Sequence, residues 1–225
     1  MIIAIDGPSG AGKSTLGKML ANELGLLYLD TGAMYRAGAL AAIRAGVSLE
    51  NAEAVADVVR EGDIRLDGLP ESQRVLLNDV DVSEVIRTLE IAKAASIVST
   101  ISDVRRRMVE LQREMGQNSK SGCVLEGRDI GSVVFPHADI KFFLTAKPEA
   151  RARRRFEEDQ NKGRISTLER TLSEINERDE RDVSRDDSPL KIAEDAFVID
   201  TSELELTEVF ELMLAKVREK KSAAA

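Results

Sequence analysis

The sequence predicts an α/β fold in three layers, with a five-stranded parallel β-sheet covered by helices on both faces. The first observation is that short apolar runs alternate with segments of helical periodicity, as in parallel sheets with helical crossovers. The runs lie near residues 2–6, 26–29, 123–126, 140–144 and 197–199. The second is a glycine-rich turn after the first run, and the third is that polar segments follow three of the runs. Because ligands of such folds bind at the carboxyl ends of the strands, we expect these segments to converge on one site.

The glycine-rich turn fits the P-loop pattern of a glycine, four free positions and Gly-Lys-Ser/Thr, so the fold is predicted to be of the P-loop NTPase type. The residues expected to bind ATP are Gly7, Pro8, Ser9, Gly10, Ala11, Gly12, Lys13, Ser14 and Thr15. Glycines permit the positive φ angles that turn backbone N–H groups toward phosphate oxygens, and the following helix adds its positive end. Lys13 should reach the β- and γ-phosphates, and the Ser14 hydroxyl should ligate Mg²⁺. The alternative is a strand-to-helix turn that binds nothing.

Charge and composition exclude several classes of partner. The 225 residues carry a formal net charge of −8, which argues against nucleic-acid polymers and anionic membranes as partners. The chain has one cysteine, Cys123, and the sequence shows neither a signal peptide nor a long apolar run, so we expect a cytoplasmic protein. The sequence has no His/Cys cluster with metal-ligand spacing, so Mg²⁺ should arrive with the nucleotide.

The first part of the chain alternates strand and helix. The helix after the P-loop should stop near Gly25. The second strand ends in a polar segment that begins at Asp30 and opens a helix ending near Gly46, and a short helix should cover residues 51–60.

Residues 61–100 interrupt this alternation and are expected to form an insert. Apolar runs at 64–66 and 75–80 flank a polar turn at 67–71, which predicts a β-hairpin. A helical pattern then continues from residue 82 to residue 115.

The second half of the chain completes the sheet. A loop at residues 126–131 should separate the third and fourth strands, and Pro148 should open a helix at its first position. Another helix begins near Leu168, a closing helix is predicted over 207–220, and residues 222–225 are expected to fray.

Two groups of arginines indicate how the phosphates bound at the P-loop are used. Arg178, Arg181, Asp182 and Arg185 recur at i, i+3, i+4 and i+7, which places them on one side of a helix. Leucines occupy an adjoining face a turn or two earlier, so we interpret the arginines as lining a charged pocket. The alternative is a solvent-exposed face of ion pairs with the neighbouring carboxylates.

The other group lies at residues 151–155 and leads into a polar loop at 160–164. We expect Arg154 and Arg155 to lie on a lid, about residues 151–166, that closes over the transferring phosphoryl group. The alternative is that they pair at i,i+4 with Glu158 and Asp159. We thus expect one domain, residues 1–225, whose core comprises about residues 1–60, 101–150 and 167–225, with the insert at about 61–100.

Four motifs in register resemble the bacterial cytidylate kinase family of nucleoside monophosphate kinases. Besides the P-loop they are residues 30–36, 127–136 and 177–182, and the match spans about residues 1–200. The resemblance implies a monomeric enzyme with a core, a lid and an enlarged monophosphate-binding insert. It also implies transfer of the ATP γ-phosphoryl group to CMP or dCMP, yielding CDP or dCDP.

Roles follow from the resemblance where residues match. The implied CMP site comprises Thr31, Arg36, Ser96, Arg105, Arg128, Asp129, Arg178, Asp182 and Arg185. Of these, Arg36, Arg128 and Arg185 would hold the phosphate, Arg178 and Asp182 the sugar, and Ser96, Arg105 and Asp129 the base. Chemistry supports the last assignment, since a carboxylate opposite the cytosine amino group and a cation opposite its acceptors are complementary. The alternatives are a capping or surface role for Asp129 and a solvent-facing ion pair for Arg105.

Glu126 departs from the family pattern, which usually has aspartate at the end of the third strand. An acid there would orient Mg²⁺-bound water, and the longer side chain leaves that assignment open.

The expected mechanism needs no strong general base, because the acceptor oxygen of a monophosphate is already anionic. The catalytic residues would be Lys13, Arg128, Arg185, Arg154 and Arg155. Two other classes of function stay open. One is a kinase for UMP, AMP or a shikimate-like metabolite. The other is a nucleotide-binding switch, although the guanine-reading Asn-Lys-x-Asp is missing because Asn161-Lys162-Gly163 is followed by Arg164.

Overall fold

The computed structural model describes residues 1–223, and residues 224 and 225 lie outside the described part. The first elements in chain order are β1 (Ile2–Asp6), α1 (Lys13–Leu24), β2 (Leu27–Asp30), α2 (Thr31–Arg44), α3 (Ala52–Glu61), β3 (Ile64–Asp67), β4 (Arg74–Leu77) and β5 (Val80–Asp81). They are followed by α4 (Leu89–Val98), α5 (Ser102–Asn118), β6 (Cys123–Gly127), β7 (Ile140–Thr145), α6 (Pro148–Asn161), α7 (Leu168–Ser184), β8 (Phe197–Asp200) and α8 (Leu206–Ala223).

The predicted five-stranded parallel sheet is confirmed. Its strand order is β2-β6-β1-β7-β8, and every neighbouring pair is parallel. The central pair runs from Ile2 opposite Cys123 to Asp6 opposite Gly127. The ends of β1 and β6 therefore lie side by side, and each is followed by one of the predicted polar segments.

Helices cover both faces of the sheet because successive side chains of a strand point to opposite faces. Ile3 and Ile5 are fully buried against α1 and α8, in a cluster that includes Leu20 and Met213. Ala4 packs on the other face in a separate cluster, with residues of the 130–138 segment and of α5. Burying one such aliphatic side chain stabilises a fold by about 1.5–3 kcal/mol, so these strands are fixed mainly by the core.

The insert contains a three-stranded antiparallel sheet, in the order β3-β4-β5, and not the predicted simple hairpin. The expected strand at 75–80 was wrong because Asn78 and Asp79 have φ angles of 51° and 64°. Two consecutive left-handed residues form the tight turn that matches the twist of paired strands, so the chain reverses there and β5 follows.

The predicted continuous helix from 82 to 115 was also wrong. A short 3₁₀ turn at Val85–Arg87 precedes α4, and residues 99–101 separate α4 from α5. Thr88 caps α4, since its hydroxyl accepts a hydrogen bond from the Ile91 N–H at 3.3 Å. The apolar periodicity continues across the break, so the pattern alone did not reveal it.

Three boundaries differ from the sequence predictions. Part of the expected loop at 126–131 belongs to β6, and a π-helical turn, Ile130–Val134, follows. The helix α6 extends to Asn161, so the loop before α7 is shorter than expected. The last helix continues through Ala223, so residues 222 and 223 do not fray, and the other two residues of the expected tail lie outside the described part. None of the helices described within residues 1–223 is long and apolar enough to cross a membrane.

Candidate active site

A cavity of about 1000 Å³ opens at the carboxyl ends of β1, β2 and β6. The three polar segments expected to converge all contribute to its walls. The predicted site residues that line it are Ser9, Gly10, Ala11, Gly12, Lys13, Ser14, Thr15, Thr31, Arg36, Arg105, Glu126, Arg128, Asp129, Arg154, Arg155, Arg178, Asp182 and Arg185. The predicted site residues outside this lining are Gly7, Pro8 and Ser96.

The P-loop has the backbone that its glycines were expected to provide. Gly12 caps α1 at a φ of 91°. Gly7 has a φ of 142°, and a Cβ there would lie 2.0 Å from the Leu144 carbonyl oxygen. These two positions therefore require glycine, and the loop is held against the end of β7.

Lys13 is buried at the start of α1, where its ammonium donates to the Pro8 carbonyl at 2.7 Å. Burial lowers the pKa of Lys13 to about 7, and the nearby Arg128 guanidinium acts in the same direction. A buried amine beside another cation is stabilised in its charged form by an anion, which a nucleotide phosphate would supply.

Glu126 lies buried at the end of β6, where the Tyr28 hydroxyl donates to its carboxylate. The Thr31 hydroxyl donates to the Glu126 carbonyl at 2.6 Å. Burial and then the Asp30 carboxylate raise the pKa of Glu126. A cation would relieve this accumulation of negative charge, and hard oxygen donors are the ligands that Mg²⁺ prefers, so the residues fit that ion.

Residues 1–223 contain no group of three or more His, Cys, Asp or Glu side chains placed to hold a metal ion. A magnesium ion at Glu126 would therefore need further oxygens from a bound nucleotide or from water.

Two arginines of the acceptor motifs are held by carboxylates. The Arg128 Nε donates to Asp182 at 2.7 Å, and Arg36 pairs with Asp30 at 2.9 Å. Burial acts to lower the pKa of Arg128, but the Asp182 carboxylate outweighs it and the pKa is raised. The ion pairs thus fix the direction of both guanidinium groups before any ligand binds.

Two further arginines, Arg185, which is buried, and Arg178, which is half-buried, have buried hydrogen-bond donors that are unused. Arg178 has no hydrogen-bond partner for Nε, and burial, followed by the charge of Arg128, lowers its pKa to about 9. Arg185 donates from Nε to the Ser188 carbonyl at 2.6 Å, yet its Nη2 has no partner within residues 1–223. Because buried donors are normally satisfied, these groups indicate a place for an anionic ligand.

Arg105 and Asp129 form a buried ion pair at the base of the cavity. Their exposed fractions are 2% and 5%, which is incompatible with the solvent-facing alternative. Arg105 also donates from Nη1 to the Ser99 carbonyl at 3.1 Å, and its guanidinium lies over the Tyr35 ring at 5.6 Å from the centroid. The break between α4 and α5 makes this possible, because it turns the Ser99 carbonyl toward the arginine.

Ser96 is buried in α4, and its hydroxyl has no partner within residues 1–223. Ser99, three residues further on, lines the cavity instead. The structure thus brings Arg105 and Asp129 together and leaves Ser96 behind the cavity wall.

The lid arginines do not form the i,i+4 pairs considered from the sequence. Arg154 donates to the Thr201 hydroxyl at 3.0 Å and also to the Thr201 carbonyl, and that hydroxyl donates to the P-loop carbonyl of Ala11 at 3.3 Å. Asp159 pairs with Arg164 at 3.0 Å, and Arg155 has no ion pair in the described part of the chain. Arg155 is therefore available to a ligand in the cavity.

Sequence reasoning missed two residues that line this site, Tyr28 and Thr201, and one that supports it from outside the lining, Asp6. Asp6 accepts hydrogen bonds from the Ile130 and Gly131 N–H groups at 2.8 and 2.7 Å. Its position directly after the apolar residues of β1 could have revealed it. Tyr28 and Thr201 gave no such signal, since a buried tyrosine in a strand is ordinary and the partner of Thr201 lies 47 residues away in the chain.

Comparison with known proteins finds a family model and individual relatives that carry the same family description. A family model described as cytidylate kinase matches residues 3–219. A cytidylate kinase of Geobacter sp. (strain M21) is 50% identical over 220 residues, which cover 98% of this chain and 94% of that protein. One from Caldanaerobacter subterraneus subsp. tengcongensis is 50% identical over 216 residues, covering 96% and 94%.

A solved structure supports the fold alone. An uncharacterised protein from Eubacterium ventriosum superposes with a TM-score of 0.55 at 12% sequence identity, covering 97% of this chain and 98% of that one.

Proposed function

Because the chain belongs to the cytidylate kinase family, its reaction is transfer of the ATP γ-phosphoryl group to CMP, and we propose that this reaction takes place in the cavity described above. We also propose that dCMP serves as a second acceptor. The observation that supports this placement best is the meeting of two features. Arginines with unused buried donors line the same cavity as the P-loop, and a buried Arg105–Asp129 pair lies in that cavity too.

The donor nucleotide occupies the P-loop in this proposal. Backbone N–H groups of residues 9–15 surround its phosphates, and Lys13 leaves the Pro8 carbonyl to neutralise the β- and γ-phosphates. Mg²⁺, when bound by Ser14 and through water by Glu126, would screen the negative charge of the phosphates.

The acceptor lies on the opposite side of the cavity. Arg36, Arg128 and Arg185 hold its phosphate, while Arg178 and Asp182 contact its sugar. The Asp129 carboxylate accepts from the cytosine amino group, and Arg105 donates to the ring acceptors. Thr31 and Ser96 complete the proposed site. Thr31 lines the cavity, and Ser96 lies in α4 behind the cavity wall.

The chemistry consists of alignment and charge neutralisation. The attacking oxygen of CMP is already anionic, so no residue needs to remove a proton from it. Charge spreads over the transferring phosphoryl group, and guanidinium groups fixed before binding stabilise it without reorganising. Arg128 and Arg185 do this from the acceptor side, and Arg154 and Arg155 from the lid.

The remaining features of the proposal concern the whole chain. We propose that it acts as a cytoplasmic monomer on small nucleotides, with neither a nucleic-acid polymer nor a membrane as partner. Residues of about 61–100 form the monophosphate-binding insert and about 151–166 form the lid of a single domain. Light scattering of the purified protein would test the monomer directly.

One assay tests the proposed function against its alternatives. ADP release from MgATP is measured with CMP, dCMP, UMP, AMP and shikimate as separate acceptors. We expect turnover with CMP and dCMP, much less with UMP, and none with AMP or shikimate. Comparable turnover with AMP or shikimate would contradict the proposed acceptor, and ADP release that no acceptor accelerates would favour a nucleotide-binding switch.

A further inference from the structure

Arg151 stands in the first turn of α6 and does not line the cavity, although its neighbours Arg154 and Arg155 do. Its exposed fraction is only 3%. A buried arginine needs partners for its charge and for its N–H groups, because an unpaired buried charge is strongly destabilising. Its partners therefore indicate what it holds in place.

The guanidinium group of Arg151 joins three separate segments. Nε donates to the Ala146 carbonyl at 2.9 Å, just after β7. Nη1 donates to the Ser9 carbonyl of the P-loop at 3.1 Å, and Nη2 donates to the Asp179 carboxylate on α7 at 2.6 Å. A planar fork with donors in fixed directions suits such a junction, and a lysine ammonium does not.

Each end of this junction is adjacent to one of the two substrate sites. Ser9 lies within the loop that would surround the ATP phosphates, and a Cβ at Gly10 would lie 3.1 Å from the Arg151 Cβ, so the loop packs on the arginine stem. Asp179 directly follows Arg178 and precedes Asp182 by three residues on α7, and Arg178 and Asp182 both line the cavity where the acceptor is proposed to bind.

The bond to Ser9 also fixes the peptide group between Ser9 and Gly10. Because Arg151 does not line the cavity, a carbonyl held toward it leaves the N–H of Gly10, on the opposite side of that peptide group, free for phosphate. On the other side, Asp179 uses one carboxylate oxygen for Arg151, and its Oδ1 has no partner within residues 1–223. Arg151 is the cation that neutralises this carboxylate, so movement of α7 and movement of the P-loop are linked through one group.

We propose that Arg151 is a positioning residue that couples the two substrate sites, so that occupation of the P-loop by ATP strengthens CMP binding at α7, and the reverse. This inference rests on the proposed function. Coupling between two sites is reciprocal, and it commonly amounts to a change of about 5- to 150-fold in affinity.

The test measures CMP affinity by calorimetry with and without the non-hydrolysable β,γ-imido analogue of ATP. In the unaltered protein we expect the analogue to tighten CMP binding at least fivefold, at the low end of that range. Arg151→Lys keeps the charge but cannot reach all three acceptors, so the ratio of the two affinities should fall close to 1. Arg153→Lys is the matched control, since Arg153 is exposed on the same helix, and it should keep the original ratio.

A merely structural role would lower the melting temperature of Arg151→Lys and leave the affinity ratio unchanged. A folded Arg151→Lys protein with the original ratio overturns the inference, as does an unaltered protein whose CMP affinity does not respond to the analogue. If Arg151→Lys does not fold, Asp179→Asn removes the same link from the other side and must show the same loss of coupling. Failure of the unaltered protein to bind CMP or the analogue at all would instead overturn the proposed function.

Discussion

At the scale of single residues, the site is organised by charges that lie buried or half-buried before any substrate is present. Lys13, Arg178 and Arg185 all have pKa values below their usual range, each because burial disfavours the charged form. Such groups are poised to gain stabilisation when a polyanion enters, because the anion restores the charged state and satisfies their donors. Part of the energy of substrate binding therefore comes from restoring the charge of these groups, which line the cavity where both nucleotides are proposed to bind.

Replacing Lys13 with alanine should lower kcat by about 100- to 1000-fold, the scale for losing one donor that stabilises transition-state charge. The fold should survive, because the ammonium donates a hydrogen bond only to the Pro8 carbonyl among the described residues. The coupled ADP-release assay gives kcat, and circular dichroism confirms folding. Near-normal turnover in the folded variant would refute the role of Lys13.

Replacing Asp129 should reduce the preference for CMP over UMP. The carboxylate matches the amino group of cytosine and repels the carbonyl oxygen that uracil has there, a difference of about 1–3 kcal/mol or 5- to 150-fold. The ratio of kcat/KM for the two acceptors is the quantity to measure in Asp129→Ala. Because alanine would leave Arg105 buried without a counter-charge, Asp129→Asn is the better-folded companion variant.

The exposed Asp186 provides a control for this experiment, since it lies near the acceptor motif but does not line the cavity. Asp186→Asn should keep the original selectivity. If both Asp129 variants also keep it, Asp129 does not read the base.

At the scale of secondary-structure elements, the ends of the strands are tied together by side chains from neighbouring elements. Asp6 at the end of β1 binds the first N–H groups of the π-helical turn at 130–134, which carries the polypeptide away from Asp129. Gln73 of the insert donates to the Tyr28 carbonyl of β2. These bonds fix the directions in which the polar segments leave the sheet, so the site depends on more than the strand order.

Asp6 should make the stability of the protein depend on pH. Burial raises the pKa of Asp6 from 3.8 to about 6, although the two backbone N–H groups oppose the shift. The folded state therefore holds a proton more readily than the unfolded state, and the stability that this proton provides is lost as pH rises from about 4 through 6. The difference amounts to about 3 kcal/mol.

Asp6→Asn cannot titrate, so the free energy of unfolding of the unaltered protein should fall relative to that of the variant between pH 4 and 7. Urea unfolding at several pH values measures this difference. Asp57→Asn changes an exposed carboxylate on α3 and serves as the control. A pH-independent difference between Asp6→Asn and the unaltered protein would contradict the assignment.

At the scale of the whole molecule, the proposed lid and the insert touch each other across the cavity. Arg164 donates to the Arg87 carbonyl at 3.0 Å while it pairs with Asp159 of α6. Lys93 of the insert also pairs with Glu174 of α7, in the core, at 3.3 Å. These polar contacts can break and reform as substrates enter, because partly exposed ion pairs contribute only about 0–1 kcal/mol each.

Arg164→Ala should weaken closure of the lid over the insert and admit water to the phosphoryl group. Water then competes with CMP as acceptor, so the amount of ADP released per CDP formed should rise several-fold. Both products can be quantified by anion-exchange chromatography. Arg60→Ala, which removes an exposed pair with Asp57 on α3, is the control, and an unchanged product ratio in Arg164→Ala would rule out this role for the contact.

Much of the fold followed from local patterns. The five strands of the sheet were predicted within one or two residues because each is a short apolar run bounded by turn residues. The errors have local causes that the apolar pattern hides: the left-handed pair Asn78-Asp79 divides a run of strand residues, and the break at 99–101 lies within an uninterrupted helical periodicity.

The sequence by itself determined the P-loop, the five strands of the parallel sheet and the set of arginines, because each of these is encoded in residue types at fixed spacing. Tertiary structure alone decided which group each arginine binds. Arg128 meets Asp182, Arg154 meets Thr201 and Arg151 meets Ser9 across 54, 47 and 142 residues of chain. It also placed Ser99 at the cavity and Ser96 behind it. The partner of each arginine and the placement of each serine depend on which segments the core packs together and on how deeply it buries each charge. Neither can be read from the spacing of residues along the chain.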